Sequence, residues 1–242
     1  MDPITAIAAS GLRARMESLD LLANNVANAS TSGYKADREF YNLYVAPDAA
    51  GDDPLATMPV IERPWTDHSQ GTLQSTGNPL DMALTGRGFF SVNGPSGPLY
   101  TRNGNFRTDA NGKLVTSDGY AVRGQQGAPL TVVATLPVQV SSDGTVTQNG
   151  AVIGRLEVAD FTSTAGLAKQ GNNYFRATDP AQKPSAPADT TVEQGHLESS
   201  NTGTAEAAVR LISVMRQFEM LQRAVSLGGE MNRRAIEEVA KV

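Results

Sequence analysis

The side chains that could do chemistry in this chain are few. It has no cysteine, which excludes disulfides and thiol catalysis, and only two histidines, His68 and His196. Neither histidine has a neighbouring Asp, Glu or Cys at metal-ligand spacing, so both read as surface or connector residues rather than ligands. Gly86 and Gly88 form a Gly-x-Gly, but no third glycine and no helix follow, so the stretch is a tight turn before a strand and not a phosphate cradle. "DANGK" from Asp109 starts like a calcium loop but lacks the closing glutamate, and a hairpin turn explains it. No serine sits in Gly-x-Ser-x-Gly, and a nucleophile with its base is hard to assemble from this inventory. The sequence therefore predicts no catalytic residue, no cofactor and no metal. The unusual chemistry is amidic: Asn24, Asn25 and Asn28 fall within five positions of an apolar helical pattern, where Asn weakens a helix because its amide competes for the backbone.

The elements that carry these residues are legible. Asp2 and Pro3 are a helix start, and Leu12, Arg15, Leu19, Leu22 and Val26 follow at alternating spacings of three and four, the seam period of a coiled coil. At the other end Thr204 can cap a helix whose first turn carries Glu206. Leu211, Val214, Met215, Phe218, Leu221 and Val225 make its stripe, and Ile236 and Val239 continue it beyond Gly228-Gly229. Between the two lies a different texture. Six turn dipeptides, Asn93-Gly94, Asn103-Gly104, Asn111-Gly112, Asp118-Gly119, Asp143-Gly144 and Asn149-Gly150, separate short strand-like runs such as "FFSV", "LYTR" and "GTVTQ". The sequence predicts primed hairpin turns and a compact antiparallel β-domain there. The expected fold class is α+β, with long N- and C-terminal helices and a central antiparallel β-rich domain between them in sequence. Each helical stripe needs a partner, which the other end of the chain can supply as a coiled coil. Its expected divisions are an axial helix and turn over 1–34, an extended connector over 35–70, the β-domain over 71–178, a connector and last strand over 179–203, and the second helix over 204–242.

Composition limits the partners. A net charge of −5 and no basic run argue against nucleic acid. No stretch reaches the roughly 18 apolar residues of a membrane span, and the N-terminus lacks the charged and apolar regions of a cleaved secretion signal. A β-domain of about 100 residues is only some 25–30 Å across. It cannot cover both helical stripes, so part of each should meet other chains.

Three stretches resemble the bacterial flagellar axial proteins, the rod and hook subunits: "LLANNVANASTSGYKADREF", "NPLDMALTGRGFFSV" with "YTRNGNFRTDANGKLVTSDGYAV", and "GHLESSNTGTAEAAVRLISVMRQFEM". The likeness spans nearly the whole chain. The Arg216–Met220 segment and the chain length are more similar to the proximal rod subunit than to the distal one. The resemblance implies an exported protein without a cleaved signal, located in the basal body, whose partners are itself, other rod and hook subunits and the flagellar type III export apparatus. It implies a helical drive shaft around a channel, with Leu12, Leu19, Leu22, Asn24, Asn25, Val26, Asn28, Gly33, Tyr34, Leu211, Met215, Phe218, Leu221 and Val225 as axial packing residues. On this reading the asparagines fix register between neighbouring helices, Gly33 permits a left-handed turn and Tyr34 anchors it. The competing reading is a secreted β-rich binding protein with helical oligomerisation ends.

Overall fold

A computed structural model describes residues 3–39, 41–45, 57–61, 64–179 and 182–239. The chain divides into two compact units, one of residues 1–27, 37–67 and 202–242, the other of 28–36 and 68–201.

The first unit holds both helices. Helix α1 spans Pro3–Ala27 and helix α2 spans Thr204–Val239, about 37 and 54 Å at 1.5 Å per residue. The Gly228-Gly229 pair does not interrupt α2, and a Cβ at either glycine would meet open space. The two helices pack along one another. A Cβ at Gly11 would lie 3.9 Å from Leu221 Cδ1, while Ser18 and Arg210 reach the same carboxylate, that of Glu39. Moving towards the start of α1 thus means moving towards the end of α2, which makes the pair antiparallel. Within the span expected to be a connector, Tyr41–Val45 pairs antiparallel with Thr57–Ile61, and Asp37–Arg38 pairs with Trp65–Thr66. Of the Pro47–Pro64 stretch, residues 47–56, 62 and 63 lie outside the described residues, as do the side chains of Ile236 and Val239.

The second unit is built on an eight-stranded antiparallel sheet. Its spatial order is 167–169, 174–177, 97–101, 89–94, 121–122, 114–116 and 106–108, with 158–159 also pairing with 89–94. The central strand Phe89–Gly94 shows why the sheet is buried on both faces. Side chains alternate along a strand, so Phe90 and Val92 join Met82, Leu114 and Val146 in one core, while Phe89 joins Tyr100, Phe161 and Phe175 in another. Residues near the end of the chain complete the unit: Thr191–Gln194 pairs with Met82–Thr85, and His196–Glu198 pairs with Leu73–Ser75.

The turns are more varied than the dipeptides suggested. Asn149 and Gly150 are both left-handed, with φ of 50° and 77°, as a type I′ turn requires. At 111–112, 118–119 and 143–144 only the glycine has positive φ, and at 93–94 and 103–104 neither residue does. Gly104 is there for space instead: a Cβ would fall 1.7 Å from the Met82 carbonyl oxygen. "LTVV" at 130–133 forms only an isolated bridge, Thr131 with Lys113, rather than a strand.

Buried phenols give this unit a pH dependence: burial pushes up the hydroxyl of Tyr100, and Tyr174 carries the larger shift. Tyr174 is buried, with its hydroxyl 2.7 Å from Asp118 Oδ2 and 2.8 Å from Thr116 Oγ1. Burial pushes the hydroxyl above its ordinary value and the Asp118 carboxylate adds to this, while the Thr116 bond opposes it. Raising the folded value means the folded state keeps a proton that the unfolded state loses above about pH 10. The contribution is complete below that point and is lost as pH rises through the folded value. Urea unfolding at pH 8 to 11 should show stability falling on the alkaline side, with a shallower fall in Tyr174→Phe.

Candidate assembly interface

The Ser-Thr-Ser-Gly-Tyr-Lys segment is held inside the second unit by a buried ion network. Lys35 Nζ donates to Glu198 Oε1 at 2.6 Å and to the Ser69 carbonyl at 2.6 Å. Arg102 Nη1 donates to Glu198 Oε2 at 3.1 Å, and the Gly71 amide donates to Oε1 at 2.8 Å. The side chains of Lys35 and Glu198 are wholly inaccessible to solvent, and Arg102 is nearly so. Both carboxylate oxygens are engaged, as burial of a charge demands.

The backbone of the loop is fastened by the same neighbours. Gly33 N–H donates to the Glu198 carbonyl at 2.7 Å, Asn201 N–H to the Tyr34 carbonyl at 3.3 Å, and Ala36 N–H to Asn201 Oδ1 at 2.8 Å. Lys169 Nζ reaches the Lys35 carbonyl at 2.7 Å and lies 4.6 Å from the centre of the buried Tyr34 ring. Gly33 has φ of +69°, and a Cβ there would sit 2.3 Å from Asn103 N and 2.4 Å from Arg102 C. Both facts require glycine. Gly33→Ala should undock the loop at a cost of about 1–3 kcal/mol from the left-handed backbone alone, with the clash in addition. Faster hydrogen exchange over 31–36 and lower unfolding stability would register it.

In the first unit the most buried of the described side chains of α1 are Ala14, Ser18, Leu22 and Asn25, while Leu12, Arg15, Leu19 and Val26 are half-buried. The buried face is therefore rotated to one flank of the apolar stripe. Asn25 is occupied within the chain: its Nδ2 donates to the Asp37 carbonyl at 2.7 Å and its Oδ1 accepts from the Asp37 N–H at 3.0 Å. Asn24 is exposed, and Asn28, the residue after α1, accepts from Thr31 N–H at 3.0 Å through its carbonyl. On α2, Ala207 and Val214 are buried and Leu211, Phe218, Leu221 and Val225 are half-buried, all on one side. Met215 is exposed. So are Val209, Met220, Leu227 and Met231, which at 100° per residue cluster on the side away from Val214 and Leu221. α2 thus carries two apolar faces, one against α1 and one open.

Neither histidine lies on a loose connector. His68 packs edge-on against Phe89, with ring centres 5.6 Å apart, and His196 begins the strand His196–Glu198. Sequence reasoning missed Lys35, Arg102, Glu198 and Asn201, although each sits in one of the three family-like stretches. Opposite charges distributed over separate motifs of a lightly charged chain were the available signal.

The fold ties its N-terminal motif to its C-terminal one and leaves one apolar face of a long helix uncovered, an arrangement that suits a structural subunit built for assembly. Comparison with known proteins agrees. Family models match at residues 6–35 (flagella basal body rod protein), 83–148 (flagellar hook protein FlgE/F/G D1 domain) and 193–238 (flagellar basal body rod FlgEFG protein C-terminal). The chain is 32% identical to the basal-body rod protein FlgF of Caulobacter vibrioides, over 93% of this chain and 92% of that protein. It is also 32% identical to the rod protein FlgG of Agrobacterium fabrum, over 93% and 95%, and to FlgG of Borreliella burgdorferi, over 93% and 94%. The chain belongs to the flagellar basal-body rod protein family, as a structural component of the rod. Among the described residues no helix is long and apolar enough to cross a membrane.

Proposed function

We propose that this chain is a proximal-rod subunit of the FlgF kind. Its terminal helices pair as a coiled coil in the axial core, and it stacks with copies of itself and with other rod and hook subunits around the export channel to transmit torque. The observation that carries the assembly reading is the second apolar face of α2, since exposed Val209, Met220, Leu227 and Met231 gain roughly 1.5–3 kcal/mol each when fully covered. Alignment length supports the proximal identity. The FlgF relatives of Caulobacter vibrioides and Mesorhizobium japonicum align over 228 and 214 positions, whereas the FlgG relatives of Agrobacterium fabrum and Buchnera aphidicola need 253 and 259, more than the 242 residues present. FlgG-type chains therefore carry segments this one lacks. Delivery by the flagellar type III export apparatus belongs to the same reading.

The test is deletion of the gene followed by electron cryo-microscopy of purified basal bodies, with the tagged chain restored. Density for the tag low on the rod, and a rod truncated there in the deletion strain, is the expected result. Density along the distal rod would assign the chain to the FlgG kind, to members of which it is also 32% identical. Intact basal bodies in the deletion strain would overturn both.

A further inference from the structure

We infer that Glu39 sets the register of α1 against α2. The seam alone does not specify register, because an apolar spacing of alternating threes and fours packs nearly as well after a slip of one repeat. Among the described side chains, the buried face of α1 contains two polar residues, Ser18 and Asn25, and both are bound by the segment that follows the helix. Asn25 fixes the backbone at Asp37, two residues before Glu39. The Glu39 side chain is 6% exposed, and its two oxygens serve different helices: Oε2 accepts from Ser18 Oγ on α1 and Oε1 accepts from Arg210 Nη2 on α2 at 3.0 Å. Ser18 is itself fully buried, so a slipped pair would leave its hydroxyl and a buried carboxylate without these bonds, while the half-exposed Arg210 guanidinium would return to water. A single carboxylate between two helices is a polar pin of the kind that selects one register at some cost in stability. The open apolar face of α2 is then displayed at one fixed height along α1. That consequence rests on the assembly reading above; the pin itself does not.

The chain has no cysteine, so a spin-label pair can be placed cleanly at two exposed positions of the full-length protein, Met16→Cys on α1 and Leu227→Cys on α2. Electron–electron distance measurement should give one narrow distribution in the parent. Glu39→Ala should split or broaden it, with a second population displaced by about 10 Å, the rise of seven helical residues. Glu39→Gln, which keeps the shape and removes the charge, should broaden it less and keeps the test alive if Glu39→Ala loses its helices. A single unshifted distance in Glu39→Gln, and in Glu39→Ala where it retains helical circular dichroism, would overturn the inference. Because the measurement uses the isolated chain, its failure is separate from a failure of the rod assignment.

Discussion

Replacing Glu198 by Ala should destabilise the second unit by about 3–5 kcal/mol, a large share of the stability of any ordinary domain. The variant leaves Lys35 Nζ and Arg102 Nη1 without the carboxylate that each contacts, in a place that water does not reach. It also removes the acceptor of the Gly71 amide. The loss therefore measures the stranding of buried cations and not the intrinsic worth of an ion pair. Glu198→Gln should fall between Ala and the parent, since an amide oxygen can still accept one bond. A triple replacement, Lys35→Met with Arg102→Met and Glu198→Leu, separates the two ideas: apolar groups of similar volume should recover most of what Glu198→Ala loses. Urea unfolding followed through Trp65 fluorescence would report mainly on the other unit, because Trp65 belongs to it. Far-ultraviolet circular dichroism together with hydrogen exchange of the Phe89–Gly94 and Gly97–Thr101 strands follows the right one. Parent-like stability in Glu198→Ala would mean that the network does not hold the loop.

The second large effect concerns assembly and not folding. Met220→Glu together with Leu227→Glu should abolish motility and incorporation into basal bodies while shifting monomer stability by no more than about 0.5 kcal/mol per site. Both side chains are exposed in the isolated chain, so a carboxylate there costs little until a neighbour arrives. Burial of an unpaired charge against that neighbour would then cost several kcal/mol. Val214→Glu gives the contrast, because Val214 is buried on the face turned to α1 and its substitution should unfold the helix pair itself. Soft-agar spreading and the basal-body content of the chain, set beside thermal melts of the purified protein, distinguish the two outcomes. Normal motility in the double variant would show that the outer face is not covered in the rod.

Local pattern and long-range pairing were not equally legible. Helices α1 and α2 were readable because capping residues and a sustained apolar period are local signals, and α2 runs from the expected Thr204. The strands around Phe89, Leu114 and Thr145 were readable from alternation and turn glycines. The face of α1 was not, because its buried side includes Ser18 and Asn25, polar residues that a hydrophobic count assigns to solvent. The hairpin of 41–45 with 57–61 was hidden in a segment rich in Pro, Gly and Asp. The ion network was hidden by distance. Lys35 and Glu198 are 163 positions apart and Arg102 is 96 from Glu198, so each looked like an ordinary surface charge until the sheet brought them together. Gly33, in contrast, was recognisable from its place in the motif, and the structure gives it the left-handed conformation expected.

The most direct measurement is solvent access to the outer face of α2 before and after assembly. With no native cysteine, Leu227→Cys introduces a single thiol at an exposed site. A maleimide should label it rapidly in the purified monomer. In intact basal bodies isolated from a motile strain carrying the variant, it should react slowly or not at all, with a control thiol at exposed Val152 on the other unit serving to normalise the reagent. Protection of position 227 in the basal body alone is the result this account predicts. Equal labelling in monomer and basal body would contradict it, because the helix would then be as open in the rod as it is in the single chain.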